Sequence, residues 1–86
     1  MDSYSIIIKP HVTEKTMNLI EENNEITFIV NRSANKRQIK RAFEELYDEE
    51  VAKVNTHINP KGEKVAFIKL IEDEMAEELA VRIGIF

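Results

Sequence analysis

The sequence predicts an α+β domain: one sheet with helices packed against it, in the order β-α-β-α-β-β-α. Three observations carry that prediction. Several short segments are rich in β-branched and aromatic residues or alternate apolar with polar. Others place apolar residues at helical spacing behind capping residues. The last two strand segments are joined by a turn containing Pro60 and Gly62, which makes them a hairpin. Eighty-six residues, 43% of them hydrophobic, suffice for one domain with a small core.

Tyr4 to Ile8 is a short apolar run stopped by Lys9 and Pro10, and it reads as the first strand. Thr13 then caps a helix reaching about Glu22, before a turn at Asn23 and Asn24. Ile26 to Asn31, with Ile, Phe, Val and Thr, is too short for a typical helix and reads as the second strand. Asn35 followed by Gln38 is a capping-box pattern. Ile39, Ala42, Phe43 and Leu46 behind it recur at offsets of three, four and seven, the stripe of an amphipathic helix from Lys36 to Tyr47.

In Val51 to Ile58, alternation puts Ala52, Val54, Thr56 and Ile58 on one face and Lys53, Asn55 and His57 on the other. After the turn at Asn59 to Glu63, both alternating sets of Val65 to Ile71 are largely apolar. This strand is expected to be central and covered on both faces. Asp73 is placed to cap a last helix, with Met75, Ala76, Leu79, Ala80 and Ile83 as its apolar stripe and Gly84 as its stop. No internal repeat, low-complexity tract or linker interrupts the chain.

Cysteine is absent, which excludes disulfides, thiolate metal sites and a cysteine nucleophile and makes a reducing compartment, the cytoplasm, the expected location. The N-terminal MDSYSIII is too short and acidic for a signal peptide, and no apolar run approaches membrane-spanning length.

The net charge of -4 conceals a segregation. From Ile26 to Phe43 there are five cations (Arg32, Lys36, Arg37, Lys40 and Arg41) and no acid. The acids gather in Glu44, Glu45, Asp48, Glu49 and Glu50, and again in Glu72, Asp73, Glu74, Glu77 and Glu78. At about 100° per residue, Lys36, Arg37, Lys40 and Arg41 cover the helix arc opposite the apolar stripe. Cations at a helix N-terminus and acids near its C-terminus oppose the macrodipole, at roughly 0.3 to 1 kcal/mol for each exposed charge. The Lys40–Glu44 and Arg41–Glu45 pairs recover only a few tenths of a kcal/mol each. A polyanion would reward both the cations and the free N–H groups of the first turn. An ordinary solvated face gives the same charge pattern.

Other function classes find less support. His11 and His57 are far apart, with no close-spaced partner ligand, so no metal site or other cofactor is expected. No nucleophile elbow, glycine-rich phosphate loop or paired-acid motif is present, and an enzyme is not expected. A protein-interaction or small-ligand domain stays open, because open α+β sheets host many functions.

Three stretches, KPHVTEK (Lys9 to Lys15), NKRQIKRAFEELYDEEVAKVNT (Asn35 to Thr56) and GEKVAFIKL (Gly62 to Leu70), resemble the universal large-subunit ribosomal protein family numbered twenty-three. The match covers nearly the whole chain in order. The resemblance implies a four-stranded antiparallel sheet with packed helices and a place on the large subunit beside the peptide exit tunnel, bound to ribosomal RNA. Lys15, Lys36, Lys40, Asn55 and Thr56 match family residues on the RNA-facing side. Charge and position alone add Arg32, Arg37, Arg41, Lys53, Lys61 and Lys64. Lysine and arginine would bind phosphate, while Asn55 and Thr56 could reach phosphate, sugar hydroxyl or a base edge.

Val12, Thr13 and Glu14 match the family segment to which factors acting on the emerging chain dock, the signal recognition particle among them. Neighbouring ribosomal proteins are further expected partners, and outside the ribosome a monomer is expected. The short Asn59 to Glu63 turn replaces the long basic loop of bacterial members and resembles the archaeal type. The net acidity departs from the usual ribosomal protein, so the basic face must supply most of the RNA affinity.

Overall fold

Residues 2–86, which the computed structural model describes, run in the order α1 (Ser3–Ile6), β1 (Ile7–Pro10), α2 (Glu14–Asn23), β2 (Glu25–Val30), α3 (Lys36–Tyr47), β3 (Val51–Ile58), β4 (Lys64–Leu70) and α4 (Met75–Arg82). The four strands form one antiparallel sheet ordered β1-β2-β4-β3. The α+β class and the element order match the expectation, with a single helical turn, α1, added before the first strand.

The core lies against one face of the sheet. Ile26, Phe28 and Val30 of β2, Ala66, Ile68 and Leu70 of β4, and Val51 and Val54 of β3 meet Ile39, Ala42 and Phe43 of α3. Ile6 and Ile7 at the α1–β1 junction, Ala34 before α3, Ile20 of α2 and Met75, Ala76, Leu79 and Ala80 of α4 complete the cluster. Phe28 and Phe43 pack edge to face with centroids 5.8 Å apart, and Tyr47 lies 4.8 Å from Phe43. Burying a side chain such as Phe43 contributes about 2 to 3 kcal/mol.

The helix starts follow from their caps. The Thr13 hydroxyl accepts from the Thr16 amide at 3.1 Å, and the Thr16 hydroxyl accepts from the Thr13 amide at 2.8 Å. At α3, Asn35 Oδ1 accepts from the Gln38 amide and Gln38 Oε1 from the Asn35 amide, both at 2.9 Å. Each box satisfies two amides that the helix itself leaves open. At the C-terminus of α4, Gly84 takes φ +89 and the Ile85 amide donates to Ala80 O at 2.8 Å, the closing bond of a Schellman motif.

Four local expectations are corrected. Tyr4 to Ile6 is helical, and the strand begins at Ile7. Asp2 Oδ1 accepts from the Ser5 amide at 2.8 Å, and this cap turns the apolar run before it can extend. The same bond holds the Asp2 carboxyl below its ordinary value. In β3 the register shifts between Val51 and Lys53, so Ala52 is a bulge and exposed, and the buried positions become Val51 and Val54. One extra residue reverses the alternation on its N-terminal side. Ile58, at the far end of the strand, is 47% exposed.

Asp73 does not cap α4. Its first turn follows Glu74, a left-handed residue at φ 65 without a side-chain cap bond. The capping oxygen comes from Asn24, whose Oδ1 accepts from the Ala76 amide at 2.9 Å. Asn24 Nδ2 also donates to Leu70 O and Glu72 O, at 3.0 and 2.8 Å. Finally, β4 is internal but not covered on both faces: Phe67 is half-buried and Lys69 exposed on the side away from the core.

Candidate nucleic-acid interface

Two hydrogen bonds set the direction of α3. Lys64 Nζ donates to Ala34 O at 2.6 Å, tying the loop before the helix to the start of β4. Glu44 Oε2 accepts from the Val51 amide at 2.9 Å, tying the last turns to the start of β3. The helix therefore begins at the β3–β4 hairpin end of the sheet and finishes at the opposite end.

Its buried stripe fixes the rest. With Ile39, Ala42 and Phe43 in the core, Lys36, Arg37, Lys40 and Arg41 are all exposed. They form two columns at spacing i, i+4. Lys36 and Lys40 lead to Glu44, and Arg37 and Arg41 lead to Glu45. The arginine column borders a cleft of about 220 Å³ against Ser3 and Ile6 of α1. The first turn holds no acid and the last no base, so the charge order opposed to the dipole is retained in the fold.

Cations also gather at the hairpin end. The turn is built by Asn59, whose Oδ1 accepts from the Lys61 and Glu63 amides at 3.0 and 2.9 Å. Its Nδ2 donates to Glu63 Oε1 at 3.0 Å. That bond holds the Glu63 carboxyl below its ordinary 4.5; burial opposes the shift, and nearby Lys9, Lys61 and His11 add to it. Gly62 supplies φ +83, which few other residues adopt without strain. Arg32 Nη1 donates to Gly62 O at 3.3 Å. Arg32 and Lys64 therefore brace backbone, while Lys61 is exposed.

The remaining candidates separate. Lys53 and Asn55 are exposed on the sheet face away from the core, whereas Thr56 pairs with Ala66 and is half-buried on the core side. Adjacent strand residues point to opposite faces, so Asn55 and Thr56 do not share a surface. Lys15 is exposed on α2, a different helix from the main cationic arc. In the β1–α2 segment, Val12 is 49% exposed and Glu14 is exposed in the first helical turn. The Thr13 hydroxyl is occupied by its cap. The His11 amide anchors this segment through Thr27 O at 2.9 Å.

Sequence reasoning gave no role to Lys9, Phe67 and Lys69, which share the helix-free face with Lys53 and Asn55. Period-two alternation in β4 could have found the last two. Among the described residues no group of three or more potential metal-ligating side chains occurs, and no helix is long and apolar enough to cross a membrane.

The family model for ribosomal protein L23 matches residues 5–77. Relatives named large ribosomal subunit protein uL23 match from end to end, each covering 100% of both chains. The chain is 80% identical to that of Methanobrevibacter smithii over 86 residues. Identity is 62% to that of Methanosphaera stadtmanae and 52% to that of Methanothermobacter thermautotrophicus. The chain belongs to the ribosomal protein L23 family, in its archaeal type, a family of structural ribosomal proteins and not of enzymes.

Proposed function

We propose that this chain is a structural constituent of the large ribosomal subunit, held in the cytoplasmic ribosome beside the peptide exit tunnel by contacts to large-subunit rRNA and neighbouring ribosomal proteins. The observation that carries the reading is α3. Four exposed cations occupy its N-terminal half against the helix dipole, directly opposite a stripe locked into the core. Rigid backing holds the charges in place without a binding partner, and phosphate would remove their mutual repulsion.

Lys36, Arg37, Lys40 and Arg41 are the main phosphate-binding groups, joined by Lys61 at the hairpin end. Arg32 and Lys64 each spend one N–H on a backbone carbonyl and keep further donors for RNA, so they shape the hairpin end as well as adding charge there. Lys53 and Asn55 contact RNA from the sheet face, Thr56 from the β3 edge and Lys15 from α2. Val12, Thr13 and Glu14 form part of a docking surface for factors acting on the nascent chain, the signal recognition particle included, with Glu14 as the contacting charge. Outside the ribosome the chain is monomeric.

The test is a salt titration of the purified chain with a large-subunit rRNA fragment, an unrelated folded RNA serving as competitor. Four to six phosphate contacts predict a specific complex with a log-log slope of about -3 to -5. A complex without salt dependence, or one equally displaced by the unrelated RNA, overturns the reading.

A further inference from the structure

The sheet face away from the helices carries its own ordered set of side chains. Ile29 and Val65 are buried there yet lie outside the core cluster, so this surface is separate from the helix-backed core. Strand register arranges it in rows. Thr27, Phe67 and Asn55 lie abreast across β2, β4 and β3; on one side of them stand Glu25, Lys69 and Lys53, on the other Ile29, Val65 and His57. Lys9 of β1 extends the last row beside Ile29.

Two features of this grid point to a ligand. Lys69 and Lys53 are directly opposite on adjacent strands and both exposed, an arrangement that cross-strand electrostatics disfavour. Beside them Phe67 is half-buried at the centre of the face, with the His57 ring 5.2 Å away at 42°. Glu25 stands opposite Lys69 on the other side, so the row keeps an excess of one positive charge, and an aromatic platform beside it is complementary to a nucleotide: a flat π-face for the base and positive charge for its phosphates. Adjacent rows are about 7 Å apart, within reach of the phosphates on either side of one stacked base.

We propose that the helix-free sheet face is a second RNA surface, distinct from α3, which takes an unpaired nucleotide. Phe67, with His57 beside it, stacks the base; Lys53 and Lys69 hold one flanking phosphate and Lys9 the other; Asn55 hydrogen bonds the base edge. The occupant is single-stranded or looped RNA, because paired bases offer no free face to stack. This inference rests on the RNA-binding reading but not on α3.

The test uses the purified full chain and a short unstructured RNA carrying 2-aminopurine. The readouts are fluorescence quenching and the amide and aromatic NMR shifts of β3 and β4. The expected result is quenching on binding, with shifts centred on Phe67 and His57. Phe67→Leu should weaken binding by about tenfold, the scale of one base–aromatic stack. Lys53→Glu combined with Lys69→Glu alters only exposed residues; it should weaken binding and flatten the salt dependence while circular dichroism stays unchanged. Lys36→Glu combined with Lys40→Glu, which alters the α3 surface, should lower the overall affinity yet leave the Phe67 and His57 shifts in place at saturating RNA. Shifts confined to α3, or unchanged affinity in folded Phe67 and Lys53/Lys69 variants, overturn the platform while leaving RNA binding through α3 standing. Failure to bind both this RNA and the rRNA fragment overturns both readings.

Discussion

Reversing Lys36 and Lys40 to glutamate should separate binding from stability in opposite directions. Both side chains are exposed and off the buried stripe of α3, so no packing is lost. Lys36 is the first helical residue; exchanging a cation for an anion there reverses a dipole interaction and contributes about 0.6 to 2 kcal/mol to stability. Glu at position 40 loses its attraction to Glu44 one turn on and gains a repulsion, which costs roughly 0.4 to 1 kcal/mol. The variant is therefore as stable as the parent or about 1 kcal/mol more so, and its Tm changes by no more than about 8 °C. RNA binding moves the other way. Two charge-assisted phosphate bonds are worth about 3 to 6 kcal/mol together, and their loss should lower the log-log salt slope by about 1.5 to 2. The assay pairs thermal melts by circular dichroism with filter binding of the rRNA fragment across salt. A folded variant that binds within twofold of the parent with an unchanged slope would refute the role given to α3. A variant that unfolds would refute the placement of these residues off the core.

Three further outcomes follow from single residues. Asn24→Ala removes three side-chain bonds that join α2, β4 and α4 and puts alanine at φ 54, so urea denaturation should show a loss of about 3 to 5 kcal/mol. Asn24→Gly keeps the φ freedom and should recover only about 1 kcal/mol of it; full recovery would mean that the bonds contribute nothing. Thr27 Oγ1 is buried without a hydrogen-bond partner, so Thr27→Val should raise stability by about 1 kcal/mol, and a clear loss would reveal an unseen partner. The folded-state pKa of Glu63 lies below its ordinary value of 4.5. Its contribution is therefore complete above that value and is lost as pH falls through the lower folded one. In an NMR titration, Asn59→Ala should move the Glu63 carboxyl back up toward 4.5, and an unmoved midpoint would assign the shift to the surrounding cations instead.

The segments that were legible in the sequence are those whose determinants lie within one turn or a few residues. Asn35 and Gln38 are three positions apart and bond reciprocally in the fold. The Gly84 stop and the buried stripe of α3 are equally local, one set by a single positive φ and the other by helical spacing. A helix of period 3.6 carries its own account of which arc is buried, so the exposure of Lys36, Arg37, Lys40 and Arg41 required no tertiary information. The Tyr4 to Ile6 turn was missed because its apolar residues resemble a strand and the deciding group is the Asp2 carboxylate outside the run.

By itself, the sequence determined the α+β class, the element order and the cationic arc, because periodicity and capping are short-range properties of the chain. Only the tertiary structure decided which sheet face lacks helices, that Ala52 bulges and reverses the strand's alternation, and that Asn55 and Thr56 part company. It alone assigned the capping of α4 to Asn24, 52 residues from the amide it accepts, and gave Lys64 a backbone carbonyl 30 residues away. Such contacts depend on strand register and helix packing, where partners distant in sequence become neighbours only after the core has closed.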